Sequence, residues 1–458
     1  MDANFELTRE YIDQIKESIQ LQDEAKAVSL MEELHSADIA DIYDELNIEE
    51  AKFLYLLLES EKAADVLVEL EEDDRERFLK ALPSEVIAKQ FITEMDSDDA
   101  ADVIGEMSDE QKEEVLSHID DLEQAGDIVD LLNYDEDSAG GLMAKEYVSV
   151  QENWDVEHCI NEIRQQAEEV EEIYFVYVVD DDSKLKGIIS LKELLLNSSK
   201  SKIANFTDTD IISVKTDEEA EEVGNIMDKY DLVAIPVVDS IGRLVGRITI
   251  DDVVDVIREE AEKDYQLISG ITSDVESSDK VIQLTRARLP WLIIGLAGGI
   301  VGASVIGAFE GEINIYPKLA FFIPLIAAMG GNVGIQSSSI IVQGLANNTL
   351  GLESTGRKLL KELSVGLMNG IICAALIFGY NFFFDDSIAL TTTVSISLFI
   401  VIVFASFFGT FIPLILERVK IDPALATGPF ITTMNDILGL LLYLMIGKII
   451  FTHYAGII

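Results

Sequence analysis

The chain has 458 residues, too many for one ordinary domain, and its 85 acidic against 33 basic side chains give a formal net charge of −52. That balance argues against nucleic acid as a partner, because phosphates would be repelled, and makes cations the natural counterpart. With 2 cysteines and 4 histidines, neither a disulfide framework nor a soft-metal centre is expected.

The charge is unevenly placed. Residues 1–288 carry 76 acidic and 26 basic side chains, whereas residues 289–458 carry 9 and 7. The opening residues MDANFELTRE are acidic and lack an apolar core, so no secretory or transit signal is read there and the charged part is expected in the cytosol. Residues 1–136 read as a helical acidic domain, with acids interleaved among apolar residues and few Gly or Pro to break the pattern. Ala40-Asp41-Ile42, Ala64-Asp65-Val66 and Ala101-Asp102-Val103 recur at uneven spacing, which predicts an all-α superhelix of stacked hairpins.

Residues 137–260 contain a tighter repeat. Val178-Val179-Asp180 and Val237-Val238-Asp239 stand 59 residues apart, and Leu185–Leu191 aligns with Leu244–Ile250 at the same offset. Each copy reads as strand, Gly turn, strand, helix. This duplication resembles a tandem pair of CBS domains, an α/β module built about a pseudo-two-fold axis. Beyond it, Asp251 to Thr285 reads as an acidic helix entering Pro290-Trp291, with residues 261–285 as a connecting plug helix able to transmit movement.

Residues 286–458 hold five apolar runs: Leu289–Phe309, Leu319–Leu345, Leu363–Phe384, Val394–Leu416 and Phe430–Phe451. Each is long enough to cross about 30 Å of hydrocarbon. Arg286 and Arg288, then Arg357, Lys358 and Lys361, then Arg418 and Lys420 flank alternate ends, whereas Glu310–Lys318 and Asp385-Asp386-Ser387 are poor in positive charge. A multi-pass protein of the plasma (inner) membrane is predicted, with its N-terminus cytoplasmic and its C-terminus outside.

Within those runs Asp436 is the acid lying well inside, without a basic partner at depth. An ionised carboxylate there costs at least ~2.5 kcal/mol on insertion scales, so it is read as lining a hydrated path. Thr432 and Gly428 share its helical face, and Asn332, Gln336, Ser339 and Gln343 form a polar stripe on the second run. Carboxylate, amide, hydroxyl and backbone oxygens favour a hard cation, Mg²⁺ best, held through its waters. One Asp per chain suffices if a two-fold axis brings two together, which predicts a homodimer in the lipid bilayer.

Four motifs then make a resemblance specific: PWL at Pro290, GGNVGIQ at Gly330, DPALATGPFITTMND from Asp422 and DSAGGLM from Asp137. The chain resembles the MgtE family of magnesium channels along its whole length. The resemblance implies a dimer conducting Mg²⁺ through a pore lined by the second and fifth spans, with Asp436 as the pore acid, closed when cytosolic Mg²⁺ is high. Gly428 and Thr432 stand where some relatives carry Asn and Ala. Regulatory Mg²⁺ ions are implied at Asp65, Asp98, Asp102, Glu221, Asp231, Asp252, Asp255, Glu260 and Asp264, with Lys263 at a position often acidic. ATP binding in the CBS pair is left open, since Phe175, Lys192, Glu193 and Leu232 occupy the corresponding positions.

The combined expectation is a multidomain, non-enzymatic channel. Its parts are an all-α superhelical N domain, a tandem CBS pair, a plug helix and a five-helix transmembrane bundle. Two rivals stay in view: a less selective Co²⁺ or Mn²⁺ transporter, and a membrane-anchored CBS sensor that conducts nothing.

Overall fold

A computed structural model describes residues 7–455 apart from 33, 168, 169, 171, 274, 276–279, 347–354, 385, 386 and 427. The expected Asp385-Asp386 loop and part of the expected plug segment lie outside the described residues. The chain divides into two compact units, Met1–Arg258 and Glu259–Ile458.

The first unit opens with short helices α1 (Arg9–Gln20), α2 (Glu24–Met31), α3 (Ser36–Ala40), α4 (Ile48–Tyr55) and α5 (Ser60–Val68). They continue as α6 (Glu72–Leu79), α7 (Ser84–Gln90), α8 (Ser97–Gly105), α9 (Asp109–Leu116) and α10 (Leu122–Leu131). Local chemistry sets several starts: Thr8 and Asp23 cap the first two, and Asn47 with Glu50 forms a capping box on α4. Helices this short are marginal alone and gain stability from packing. Here α3, α5, α7 and α9 pack in succession, as do α4 with α6 and α8 with α10, which is the stacked-hairpin arrangement expected. Tyr55, Phe78 and Phe91 form its spine, with edge-on ring centroids 5.3 and 5.8 Å apart.

Two three-stranded sheets follow. The first joins β1 (Ser149–Gln151), β2 (Val176–Val179) and β3 (Leu185–Ile189), with α11 (Val156–Gln166) and α12 (Leu191–Leu196). The second joins β4 (Val214–Lys215), β5 (Ala234–Val238) and β6 (Leu244–Thr249), with α13 (Ala220–Tyr230). The duplication holds down to register: Val178 pairs Gly187 and Val237 pairs Gly246, each pair followed by the same irregularity. Lys184 bridges Arg243, the same place in the other copy, through reciprocal bonds Leu185 N to Gly242 O and Leu244 N to Ser183 O at 3.1 and 3.0 Å. That reciprocity is the expected pseudo-two-fold. A continuous apolar core runs from the N-terminal helices to Val237, Ile248 and Val253 of the second copy.

The acidic helix is shorter than the sequence suggested. It is α14 (Ile250–Ser269), and it ends at Gly270, whose φ of +82° and the bond from Ile271 N to Gln266 O close a left-handed cap. Residues 281–285 belong instead to α15 (Val281–Ala308).

In the second unit α15 is followed by α16 (Glu310–Ile315), α17 (Ile323–Ala346), α18 (Thr355–Phe384), α19 (Ile388–Arg418) and α20 (Gly428–Ala455). Among the described residues, five helices are long and apolar enough to cross a membrane, covering 281–308, 317–346, 355–384, 388–418 and 428–453. These bounds correct two readings. Span three now begins at Thr355 and takes in Glu362 near its start, beyond the run that began at Leu363, and the last span reaches His453 rather than Phe451. Pro290 and Pro413 lie inside helices without ending them.

Candidate functional site

Helices α17 and α20 lie side by side because three glycines of GGNVG remove the side chains that would separate them. A methyl built on Gly330 would lie 3.5 Å from Asn435 O, and one on Gly331 3.1 Å from Thr432 Cγ2 and 3.4 Å from Asp436 Oδ1. At Gly334 it would overlap Asn435, whose amide nitrogen is 2.0 Å away. The structure therefore brings Asp436 and Thr432 against the glycine face of α17. Asn332 and Gln336, next to that face, are exposed on the single chain, as is Gln343, whereas Ser339 and Asp436 are half-buried.

Gly428 begins α20 with φ of +53°, and a Cβ there would lie 2.2 Å from Ile268 O. Thr432 donates its hydroxyl to Gly428 O at 2.9 Å. Gly270 meets Pro429 in the same way, at 2.6 Å from Pro429 Cγ, while Thr272 bonds Ala287 O through both N and Oγ1. The end of α14 thus comes close to the first turn of α20 and is tied by Thr272 to α15, beside a cavity of about 850 Å³ lined by Gly270, Arg288, Trp291, Gly428 and Thr432. Asp264 on this part of α14 is raised above the ordinary carboxylate range by burial and then by Asp422 and Glu260. Asp422 was not among the expected ligands. Glu260 pairs with Lys263 at 2.8 Å.

In the first unit, Asp98, Asp102 and Asp252 converge, joined by Asp96 and Asp99. Burial, then Asp99, Asp252 and Asp96, push Asp98 well up, and burial followed by Asp252 and Asp102 lifts Asp99 to about 7. Asp252 rises too, chiefly from burial, although it accepts bonds from Thr249 N and Oγ1 at 3.2 and 2.6 Å. Asp102 rises through burial and Glu136 against Arg75, but its side chain is more open to water and its repulsion is correspondingly screened. Among the described residues, one oxygen each from Asp96, Asp98 and Glu146 lie within 4.8 Å of one another, a hard-donor set suited to Mg²⁺. Glu146 accepts from Ser97 N and Oγ at 3.2 and 2.8 Å, tying α8 to the segment after DSAGGLM.

The other expected sensor acids are dispersed. Asp65 is exposed on α5 and accepts from Ser36 Oγ at 3.2 Å; Glu221 and Asp231 are exposed at the two ends of α13, and Asp255 is exposed on α14. Of the positions weighed for ATP, Lys192 is exposed in the first turn of α12, and Phe175, Glu193 and Leu232 are half-buried.

Comparison with known proteins agrees with this layout. A family model described as a divalent cation transporter matches residues 323–446, the MgtE intracellular N domain matches 34–137, and CBS domains match 139–200 and 203–259. The chain is 34% identical to the magnesium transporter MgtE of Thermus thermophilus over 95% of this chain and 97% of that one. It is 35% identical to the magnesium transporter MgtE of Bacillus subtilis over 68% of this chain and 69% of that one. The crystal structure of the cytosolic domain of the Mg²⁺ channel MgtE in complex with ATP is 35% identical, with a TM-score of 0.51, covering 54% of this chain and 99% of that one.

Proposed function

Since the chain belongs to the MgtE family of magnesium transporters, with two thirds or more of its length matched by such relatives, we propose that it is a homodimeric, Mg²⁺-selective channel closed by Mg²⁺ at an acidic cytosolic sensor. The observation carrying this reading is the polar face on a helix otherwise fit for lipid: Asn332 and Gln336 are exposed on α17, the helix whose Gly331 meets Asp436 and Thr432. Amides and a carboxylate facing hydrocarbon are costly. A second copy related by a two-fold axis would cover that face with its own and leave a hydrated path between paired Asp436 carboxylates. Mg²⁺ would cross largely hydrated, which suits two carboxylates with amide and hydroxyl neighbours.

The sensor acids supply the control. Asp98, Asp99 and Asp252 repel one another where they stand half-buried together, so the metal-free arrangement is strained toward separation. Bound Mg²⁺ supplies the countercharge. α14 starts beside this cluster at Asp252 and ends against Gly428, so a shift of the helix reaches the first turn of α20 directly. The expected orientation, N-terminus cytoplasmic and C-terminus outside in the plasma membrane, puts the sensor in the compartment whose Mg²⁺ it measures. A relative's cytosolic domain has been solved in complex with ATP.

The test is Mg²⁺ flux into liposomes holding the full chain. Asp436→Ala and Asp436→Asn should abolish it; wild-type flux in both would end the pore assignment. Competition by Co²⁺, Mn²⁺ and Ca²⁺ in the same assay separates the selective channel from the broader transporter. Absence of any flux would favour the non-conducting sensor.

A further inference from the structure

Glu362 plays no part in the ion path described above, yet near the start of the third span it joins three helices. Its Oε1 accepts hydrogen bonds from Ser337 Oγ of α17 at 2.7 Å and from Ser406 Oγ of α19 at 2.9 Å. The Ser406 hydroxyl also lies 3.2 Å from the Glu362 carbonyl oxygen, and the two hydroxyls are 3.4 Å apart. Both serines are buried, with 3% and 1% of their surface exposed.

Glycine makes the junction possible. A Cβ on Gly409 of α19 would lie 2.5 Å from Gly334 O and 3.0 Å from Ser337 Cβ, and one on Gly366, a turn after Glu362, 2.8 Å from Ser406 Cβ. The helix backbones therefore close upon the carboxylate from three sides. Gly334 is also the residue that receives Asn435 of α20 on another side of α17.

Ser337 directly follows Gln336. Successive residues of an α-helix point about 100° apart, so holding Ser337 against Glu362 turns Gln336, and Asn332 one turn earlier, toward the exposed polar face. We propose that Glu362 is the positioning residue of the ion path: from outside it, its carboxylate oxygen fixes the rotation of α17 through Ser337 and ties that helix to α19 through Ser406. The proposal rests on α17 lining the path. Ser337 and Ser406 are buried, so water does not replace a lost acceptor there, and losing it leaves both hydroxyls without their shared partner and weakens the hold on the rotation of α17. Small rotations matter because ligand placement in such a path must hold to a fraction of an ångström.

The experiment compares the full chain with Glu362→Ala, Glu362→Gln and Ser337→Ala in liposomes, reading flux per folded molecule and the Mg²⁺ to Ca²⁺ flux ratio. Glu362→Ala is expected to lower Mg²⁺ flux by about tenfold or more and to change the ratio. Glu362→Gln keeps an oxygen acceptor in the same place and should stay within about twofold of the parent on both readouts. A residue that only staples the fold would reduce the yield of folded protein and leave the flux ratio of the folded fraction unchanged. An unchanged ratio and flux in Glu362→Ala overturns the proposal, and so does a Glu362→Gln variant as impaired as Glu362→Ala, because charge rather than acceptor geometry would then be at work. If Glu362→Ala does not fold, Ser337→Ala, which removes one hydroxyl from α17, decides by the same ratio. Asp436→Ala is measured alongside: flux surviving there defeats the pore reading, whereas flux lost there but intact in Glu362→Ala defeats only this proposal.

Discussion

A methyl group on Gly331 would stand 3.4 Å from Oδ1 of Asp436, so the acid of α20 approaches α17 at a position held open by glycine. The neighbouring Thr432 Cγ2 would be 3.1 Å from the same methyl, tight but able to move. Gly331→Ala should therefore fold, with a modest cost of about 1 kcal/mol, while lowering Mg²⁺ flux by crowding Asp436. Liposome flux together with thermal unfolding in detergent checks both halves of this expectation.

Gly334 differs because the overlap is larger and the side chain that must move, Asn435, is itself buried. A Cβ there meets Asn435 Nδ2 at 2.0 Å and Ile431 Cγ2 at 2.7 Å, with α19 behind it. Gly334→Ala should cost about 3 kcal/mol, the upper end for overpacking, and give aggregated protein on size-exclusion chromatography. A monodisperse, flux-competent Gly334→Ala would show that α17 and α20 are less closely packed than described.

Much of this was legible beforehand, for identifiable reasons. The 59-residue duplication appears in sequence because both copies need the same strands, and Gly187 and Gly246 because a Cβ there would fall 2.2 Å from Asp208 O and 2.7 Å from Met143 Sδ. Asp436 stood out because it interrupts a long apolar run. Glu362 did not, because it borders the run beginning at Leu363 next to a basic flank, and its partners Ser337 and Ser406 come from two other helices. Asp96, Asp99 and Glu146 were hidden by the density of acids around them; which acids converge depends on how α8 meets the second repeat. The end of the plug helix was missed because Gly270 acts through its left-handed backbone rather than through any break in periodicity.

Gly270 carries a prediction of its own. Alanine there is strained at φ of +82° and would press on Pro429, loosening the contact between α14 and α20. Gly270→Ala should need more cytosolic Mg²⁺ for closure, by about fivefold for a destabilisation near 1 kcal/mol. Flux measured against internal Mg²⁺ reads the shift directly, and an unchanged inhibition curve would detach α14 from gating.

At the sensor, Asp98→Asn removes one of the half-buried acidic groups that crowd Asp252. Without Mg²⁺ this variant should melt higher than the parent by roughly 2–4 °C, since repulsion is relieved. With Mg²⁺ present it should gain less than the parent does, because a ligand is gone. A lower melting temperature in metal-free buffer would mean that Asp98 is held by stabilising contacts outweighing the repulsion.

The same cluster fixes a pH dependence whose sign follows from its raised carboxyls. Asp99 titrates at about 7 in the folded chain against an ordinary 3.8, so between those values the folded state holds a proton that the unfolded state has lost. Stability is fully retained below the unfolded value and declines as pH rises through this window, levelling off above the folded one. Asp98 is shifted in the same direction. In metal-free buffer, amides of α8 should accordingly be better protected at pH 5 than at pH 8, after correction for intrinsic exchange. Mg²⁺ needs the ionised carboxylates, so its protective effect should be larger at pH 8 than at pH 5. Hydrogen exchange across Ser97–Gly105 at both pH values, with and without Mg²⁺, measures all four conditions; greater metal-free protection at pH 8 would contradict the repulsion from which the closing mechanism is built.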